Sequence, residues 1–343
     1  MKNVLLVIFV LIGSSVLGQN LQKILDQYKD SLSNYGIVAL VDNGKSIQTA
    51  QIGWASEESP MQIDHRFCIG SVTKLYTATI ILKLNELKLL SIDDSIAKFI
   101  PPHRFIDGSI TIRQLLNHTS GIKDIVDAKL SNASLLDPYF DYSESYILNL
   151  IDTIDFAKGT KHSYSNSNYF LLRKIIERVT DKPYESVLDE LIIKPLNLTN
   201  TFPYHSNNID SLAHPILGKQ DFHDLPKIGV NQISIGIGNV VSTAADVNAF
   251  IRSLFMDNRI LNSNSLKTMT TFKTFNESTV GLGVFLENFG GRTVQGHSGR
   301  TISYIAYAFV DKPKRISFVL ICNNANDPYI DKLIEKVCDK GKW

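Results

Sequence analysis

Strand signals in this sequence are confined to its two ends. Near the start, Tyr35 to Asp42 (YGIVALVD) and Ser46 to Gly53 read as strands joined at Asn43-Gly44, a strong hairpin signal. Near the end, Gly283 to Glu287, Thr293 to His297, Ile302 to Val310 and Arg315 to Cys322 are short runs with turn residues between them. Between these ends, residues 71–90 form an apolar helical stretch. From there to about residue 270 the chain is mostly helical segments, broken at Pro101-Pro102, Asp137-Pro138, Pro195 and Pro203. This distribution predicts an α/β (α+β) chain with one sheet assembled from both ends. Residues 19–85 and 270–343 form a discontinuous sheet domain, and residues 86–269 an inserted, mostly helical one. Leu21, Ile24, Leu25, Tyr28 and Leu32 predict an opening amphipathic helix; Ile330, Leu333, Ile334 and Val337 predict a closing one. A chain of 343 residues with 44% apolar and 20% charged residues can fill such a core, and is neither disordered nor collagen-like.

Residues 1–18 (MKNVLLVIFVLIGSSVLG) stand outside that scheme. Lys2 precedes an apolar run from Val4 to Ile12, then small and polar residues with Val16 and Gly18 placed for cleavage before Gln19. That order is a secretory signal peptide, and the run is too short for a spanning helix. The mature product is expected to be exported, periplasmic or extracellular, with no membrane span. Net charge is +1, so nucleic acid is excluded as a partner. Three cysteines (Cys68, Cys322, Cys338) are too few for a disulfide framework, and leave one bridge open.

Three short motifs carry chemistry. Ser71-Val72-Thr73-Lys74 is one of three S-x-x-K sequences, with Ser95/Lys98 and Ser120/Lys123. Only Ser71 follows a short extended segment and a glycine and then opens a long apolar helix. Residues three apart share a helix face, so Lys74 can touch the Ser71 hydroxyl. The helix N-terminus favours developing negative charge. Serine needs a base to take its proton, and apolar surroundings would lower the Lys74 pKa enough to supply one. Tyr164-Ser165-Asn166 is the only Y-x-N among 13 tyrosines. A tyrosine beside a cationic lysine loses its proton more easily and can relay it; asparagine offers a donor and an acceptor to a substrate amide. His297-Ser298-Gly299 ends a predicted strand. Gly299 admits a close backbone approach, and the Arg300 N–H can join the Ser71 N–H as an oxyanion hole. Thr243 and Asp246 are expected to form a helix-capping box.

In this order the motifs resemble those of the penicillin-recognising serine hydrolases: class C β-lactamases, serine D-alanyl-D-alanine carboxypeptidases, and related esterases and D-aminopeptidases. Phe67 to Lys74 (FCIGSVTK) matches the nucleophile segment, and Leu90 to Pro101 the L-x-D-D … P stretch. Leu115 to Ile122 (LLNHTSGI) is close to LL-x-HTSG. Gly159 to Leu172 resembles the G-T … YSN segment, and Gly238 to Phe250 the S-T-A-x-D block. The resemblance implies a β-lactamase/transpeptidase-like fold, with an antiparallel sheet and the site between two domains. It implies that Ser71 is the nucleophile, that Lys74 and Tyr164 are the base and proton shuttle, and that Asn166 contacts the substrate amide. His297, Ser298 and Gly299 would orient the substrate. Histidine at 297 replaces the lysine of K-T-G in class C β-lactamases, which weakens the case for binding a β-lactam carboxylate. Arg300 is a candidate for bidentate pairing with a substrate carboxylate.

The sequence contains no H-E-x-x-H or other close pair of metal ligands, no G-x-S-x-G, no Walker A motif and no G-x-G-x-x-G. The expected activity therefore uses neither metal nor organic cofactor. It is an acyl-enzyme hydrolysis of a D-amino-acid peptide or small ester, carboxypeptidase-like. The rival activities are β-lactam hydrolysis and, in another class, ligand binding or sensing without turnover. The substrate is a small molecule or a peptide; oligomeric state is left open.

Overall fold

The computed structural model describes residues 21–343 except 127–129, 131–135, 138, 141, 205–208, 226–227, 277 and 340. The segment read as a secretory signal lies outside the described residues. Eight antiparallel strands form one sheet. Their spatial order is Ile47–Gly53, Gly36–Asp42, Ile316–Cys322, Ile305–Asp311, Arg292–Arg300, Phe285–Phe289, Ser278–Val280 and Lys273–Phe275. The first strand of the chain is zipped to the last: Ile37 lies opposite Cys322 and Asp42 opposite Ser317. One sheet is thus built from both chain ends, as the strand signals require.

Three central strands, Gly36–Asp42, Ile305–Asp311 and Ile316–Cys322, are buried at every position. Each serves two cores by alternation. Ile37, Ala39 and Val41 join Leu21, Leu25, Leu333 and Val337 on one face, while Val38 and Leu40 join Leu75, Ala78, Phe250 and Leu254 on the other. A sheet covered on both faces has no polar side, which is why these strands read as unbroken apolar runs. The closing helix, Ile330–Val337, buries Ile330, Leu333, Ile334 and Val337 as its spacing predicts.

The first hairpin turns through four residues rather than two, because Asp42 already pairs with Ile47. Asn43 Oδ1 accepts from the backbone N–H groups of Lys45 and Ser46, and Gly44 takes φ +79°. The two outermost strands, Lys273–Phe275 and Ser278–Val280, fall beside the region read as helical. Each has three residues and a partly exposed edge, too short and too polar to show a period of two. Among the described residues no disulfide joins Cys68, Cys322 and Cys338.

The helix that matters most is Thr73–Glu86, buried continuously from Thr73 to Leu82. Tyr76 stacks on Phe250 with ring centroids 3.7 Å apart. Its buried threonines are satisfied: Thr77 Oγ1 donates to the Gly236 carbonyl at 2.7 Å and Thr79 Oγ1 to the Leu75 carbonyl at 2.7 Å. Only half of the expected capping box forms. Thr243 Oγ1 accepts from the Asp246 N–H, but the Asp246 carboxylate turns away to Asn200 N–H and Thr201 Oγ1. Among the described residues no helix is long and apolar enough to cross a membrane.

Candidate active site

Ser71 is positioned by two backbone constraints. Cys68 pairs with Val241 in a small sheet, and the Ile69 N–H donates to the Val240 carbonyl at 2.9 Å. Gly70 then takes φ +53°, a left-handed conformation that other residues reach at a cost. The chain enters a tight turn, Gly70–Val72, which runs straight into the buried helix. Ser71 lies in that first turn, where backbone N–H groups lack intrahelical acceptors.

This loop lies on the end of strand Arg292–Arg300. A Cβ added at Gly299 would stand 2.0 Å from the Ile69 carbonyl oxygen and 2.9 Å from the Ser71 nitrogen. Glycine is needed there to let the loop close on the strand, so the close approach is internal rather than to a substrate. Gly299→Ala is expected to destabilise the fold by ~2 kcal/mol or more, because backbone must move to relieve the overlap. Urea unfolding measures this; a loss below ~0.5 kcal/mol would contradict it.

Lys74 lies one helical turn on and is fully buried. Its Nζ donates to Ser71 Oγ at 2.9 Å and to the Ile237 carbonyl at 2.9 Å. Burial pulls its pKa down to about 7, against the opposing attraction of Asp124. The rings of Tyr164 and Tyr169 lie 5.1 and 5.5 Å from Nζ. The other two S-x-x-K pairs are used elsewhere: Lys98 with Asp94, and Lys123 with Asp152.

Tyr164 stands just before the helix Asn166–Thr180 and donates its O–H to Ser71 Oγ at 2.8 Å. Burial pushes the phenol pKa up, partly offset by the Ser71 hydrogen bond. This reverses the expectation that a neighbouring lysine eases proton loss. The cation is itself depleted by burial, so Tyr164 keeps its proton. The His118 ring lies 4.4 Å from the Tyr164 ring. His118 Nδ1 accepts from the Ser165 N–H, and its carbonyl accepts from the Ser163 N–H, so the HTSG segment braces the Tyr164 loop. Burial holds the His118 pKa well down, leaving it neutral.

Asn166 reaches the same cavity. Its Nδ2 donates to Asp124 Oδ2 at 3.0 Å and its backbone N–H to Asp124 Oδ1 at 2.9 Å. That leaves Oδ1 with no hydrogen bond among the described residues. Asp124 is a site residue that the motifs did not single out. Burial raises its pKa, against hydrogen bonds from Val126 and Asn166. It sits three residues past the HTSG glycine, Gly121, and no local pattern marks its long-range partner.

His297 completes the constellation. Its ring lies 6.2 Å from the Tyr164 ring and 5.0 Å from that of Phe285. Nδ1 contacts the Ser298 carbonyl, and burial pushes the pKa down to about 3, so the residue is neutral. Ser298 and Arg300 border the cavity. The Arg300 guanidinium is drawn off to the Ala325 carbonyl and to Asp331, 3.7 Å away, so a substrate carboxylate would have to compete for it. The backbone of Arg300 stays at the loop: its nitrogen is 3.0 Å from where a Gly70 Cβ would be.

Ser71, Tyr164, Asn166, His297, Ser298 and Arg300 line a cavity of about 670 Å³. Val126, Leu130, Phe222, Leu225 and Ile233 give it an apolar wall, and half-buried Cys68 lies at its base. The arrangement supplies a hydroxyl with two hydrogen-bonded proton-handling groups, backbone N–H groups beside it and an apolar wall.

The model of the Beta-lactamase family matches residues 21–335. Protein flp of Staphylococcus aureus (strain MRSA252) is 25% identical over 313 residues, covering 87% of this chain and 61% of its own. The chain thus spans about three fifths of that relative's length. Among solved structures, a D-stereospecific amidohydrolase from Streptomyces sp. is 25% identical, with TM-score 0.79 over 94% of this chain and 98% of that one. The D-amino acid amidase from Ochrobactrum anthropi SV3 is 26% identical, with TM-score 0.80 over 92% and 98%.

Proposed function

The chain belongs to the β-lactamase family of serine hydrolases, and on that premise we propose that it cleaves amides of D-amino acids through an acyl-enzyme on Ser71. One observation carries the reading: Lys74 Nζ and Tyr164 O–H both hydrogen-bond Ser71 Oγ, at 2.9 and 2.8 Å, beside an apolar cavity. The D-amino acid amidase and the D-stereospecific amidohydrolase of the same fold support the choice of substrate class.

The roles follow from the pKa directions. With a pKa near 7, Lys74 is half neutral at neutral pH and takes the Ser71 proton as Oγ attacks the carbonyl. The oxyanion rests on the N–H groups of Ser71 and Arg300. Tyr164, still protonated, passes its proton to the departing nitrogen and recovers one from the Lys74 ammonium. Water then attacks the acyl carbonyl and gives a proton to Lys74, which passes it to the departing Ser71 Oγ, so that the hydroxyl and the neutral amine are both regenerated. Asn166 Oδ1 accepts from the substrate amide, while His297, Ser298 and Gly299 form the edge along which substrate lies. The signal-like order of charge, apolar run and small residues over 1–18 supports the further proposal of export to the periplasm or medium.

The test uses purified protein with D-phenylalaninamide, L-phenylalaninamide, p-nitrophenyl acetate and a chromogenic β-lactam. Hydrolysis of the D-amide at least tenfold faster than of the L-amide is expected, with slow or no β-lactam turnover. Rapid β-lactam turnover without amide hydrolysis would replace this reading with a β-lactamase. A stable adduct with no turnover of any of the four would replace it with a binding protein.

A further inference from the structure

One ionisable group in the cavity is unused by the proposed chemistry. Glu287, on the strand Phe285–Phe289, is the only carboxylate among the described residues that line the cavity. It is half-buried, and among the described residues nothing hydrogen-bonds or ion-pairs with it. It lies two residues along the strand from Phe285, whose ring packs on His297 5.0 Å away and stands 6.4 Å from Tyr164. The cavity's other polar walls do not neutralise it. His297 is neutral, and the guanidinium of Arg300 is held by Ala325 and Asp331.

A carboxylate taken half out of water without a cation carries a desolvation penalty. That penalty is visible as an upward pull on its pKa. An arriving ammonium would relieve it, whereas an arriving carboxylate would add repulsion. We infer that Glu287 is the specificity determinant for a free, positively charged α-amino group on the substrate. The cavity is then built for an unblocked N-terminal residue, with its apolar side chain on the Val126, Leu130 and Phe222 wall. N-acylated peptides and anionic β-lactams would be poor ligands. The inference rests on the amide-hydrolase reading for the identity of the substrate, but its test can be separated from catalysis.

The test is calorimetric titration of Ser71→Ala protein with D-phenylalaninamide and N-acetyl-D-phenylalaninamide at about pH 6.5, where an α-amino group is protonated. The free amine should bind at least tenfold tighter than the acetylated amide. In Ser71→Ala/Glu287→Gln that preference should vanish, and Ser71→Ala/Glu287→Asp should keep part of it. An unchanged preference in the Gln variant, or binding of neither ligand by Ser71→Ala protein, would overturn the inference. The two readings fail in different ways. Charge-selective binding with no hydrolysis by wild-type protein removes the amidase and leaves the Glu287 site. Hydrolysis of both amides, with a ratio untouched by Glu287→Gln, does the opposite.

Discussion

Ser71→Ala protein should form no covalent adduct with p-nitrophenyl acetate or a chromogenic β-lactam, and its turnover of any substrate should fall by at least ~10³-fold. The size follows from the geometry. Lys74 Nζ and Tyr164 O–H share one acceptor, Ser71 Oγ, so its removal leaves both without a reacting partner. Groups that act as a unit lose most of their joint effect when any one is removed. The residual rate comes from the N–H groups and the cavity, which alanine leaves in place. Folding should be little affected, since Ser71 is small and partly exposed. Intact mass and product release, read together, make the measurement. Turnover in Ser71→Ala protein equal to wild type would sink the mechanism.

Lys74→Met should cost a comparable factor in turnover while making the fold more stable at acidic to neutral pH. Lys74 has a pKa of about 7 when folded, against ~10.4 for a free lysine. Between those values the unfolded chain binds more protons than the folded one. Stability therefore rises with pH across that window, and the cost of burying the lysine is fully present below pH 7. Three pKa units correspond to ~4 kcal/mol. Methionine removes that cost but leaves the Ile237 carbonyl without its Lys74 donor, a loss of ~1–3 kcal/mol. A net gain of ~1–3 kcal/mol is expected at about pH 6, shrinking or reversing near pH 10. Urea unfolding of both proteins at the two pH values measures this. If the variant is no more stable at pH 6, the lysine is not held near neutrality. The same pKa gives wild-type activity an acid limb centred near pH 7, because only neutral Lys74 can accept the Ser71 proton. A flat profile from pH 5.5 to 8.5 would exclude Lys74 as the base.

How much was legible in the sequence depends on the distance over which each signal acts. Ser71 and Lys74 are three residues apart on one helix, so helical geometry alone places Nζ at the hydroxyl. The fully buried strands declare themselves by unbroken apolar runs, and their position at both chain ends requires the sheet that forms. The three-residue edge strands carry no such pattern and were missed. The motif marks Arg300 as a candidate for a substrate carboxylate, and it does border the cavity, but only the fold brings Ala325 and Asp331 to its guanidinium. Asp124 was overlooked because its significance lies in Asn166, 42 residues away.

The sequence by itself determined the long elements, the split sheet and the residue types at the site, since periodicity, turn chemistry and helix starts act within a few neighbours. Only the tertiary structure decided how those residues behave. Burial, which depends on everything packed around a side chain, turned Lys74 towards neutrality and kept the proton on Tyr164. It also neutralised His297 and left Glu287 half-buried with no partner among the described residues. Desolvation sums over atoms brought together from remote parts of the chain, so it is settled only when the fold closes.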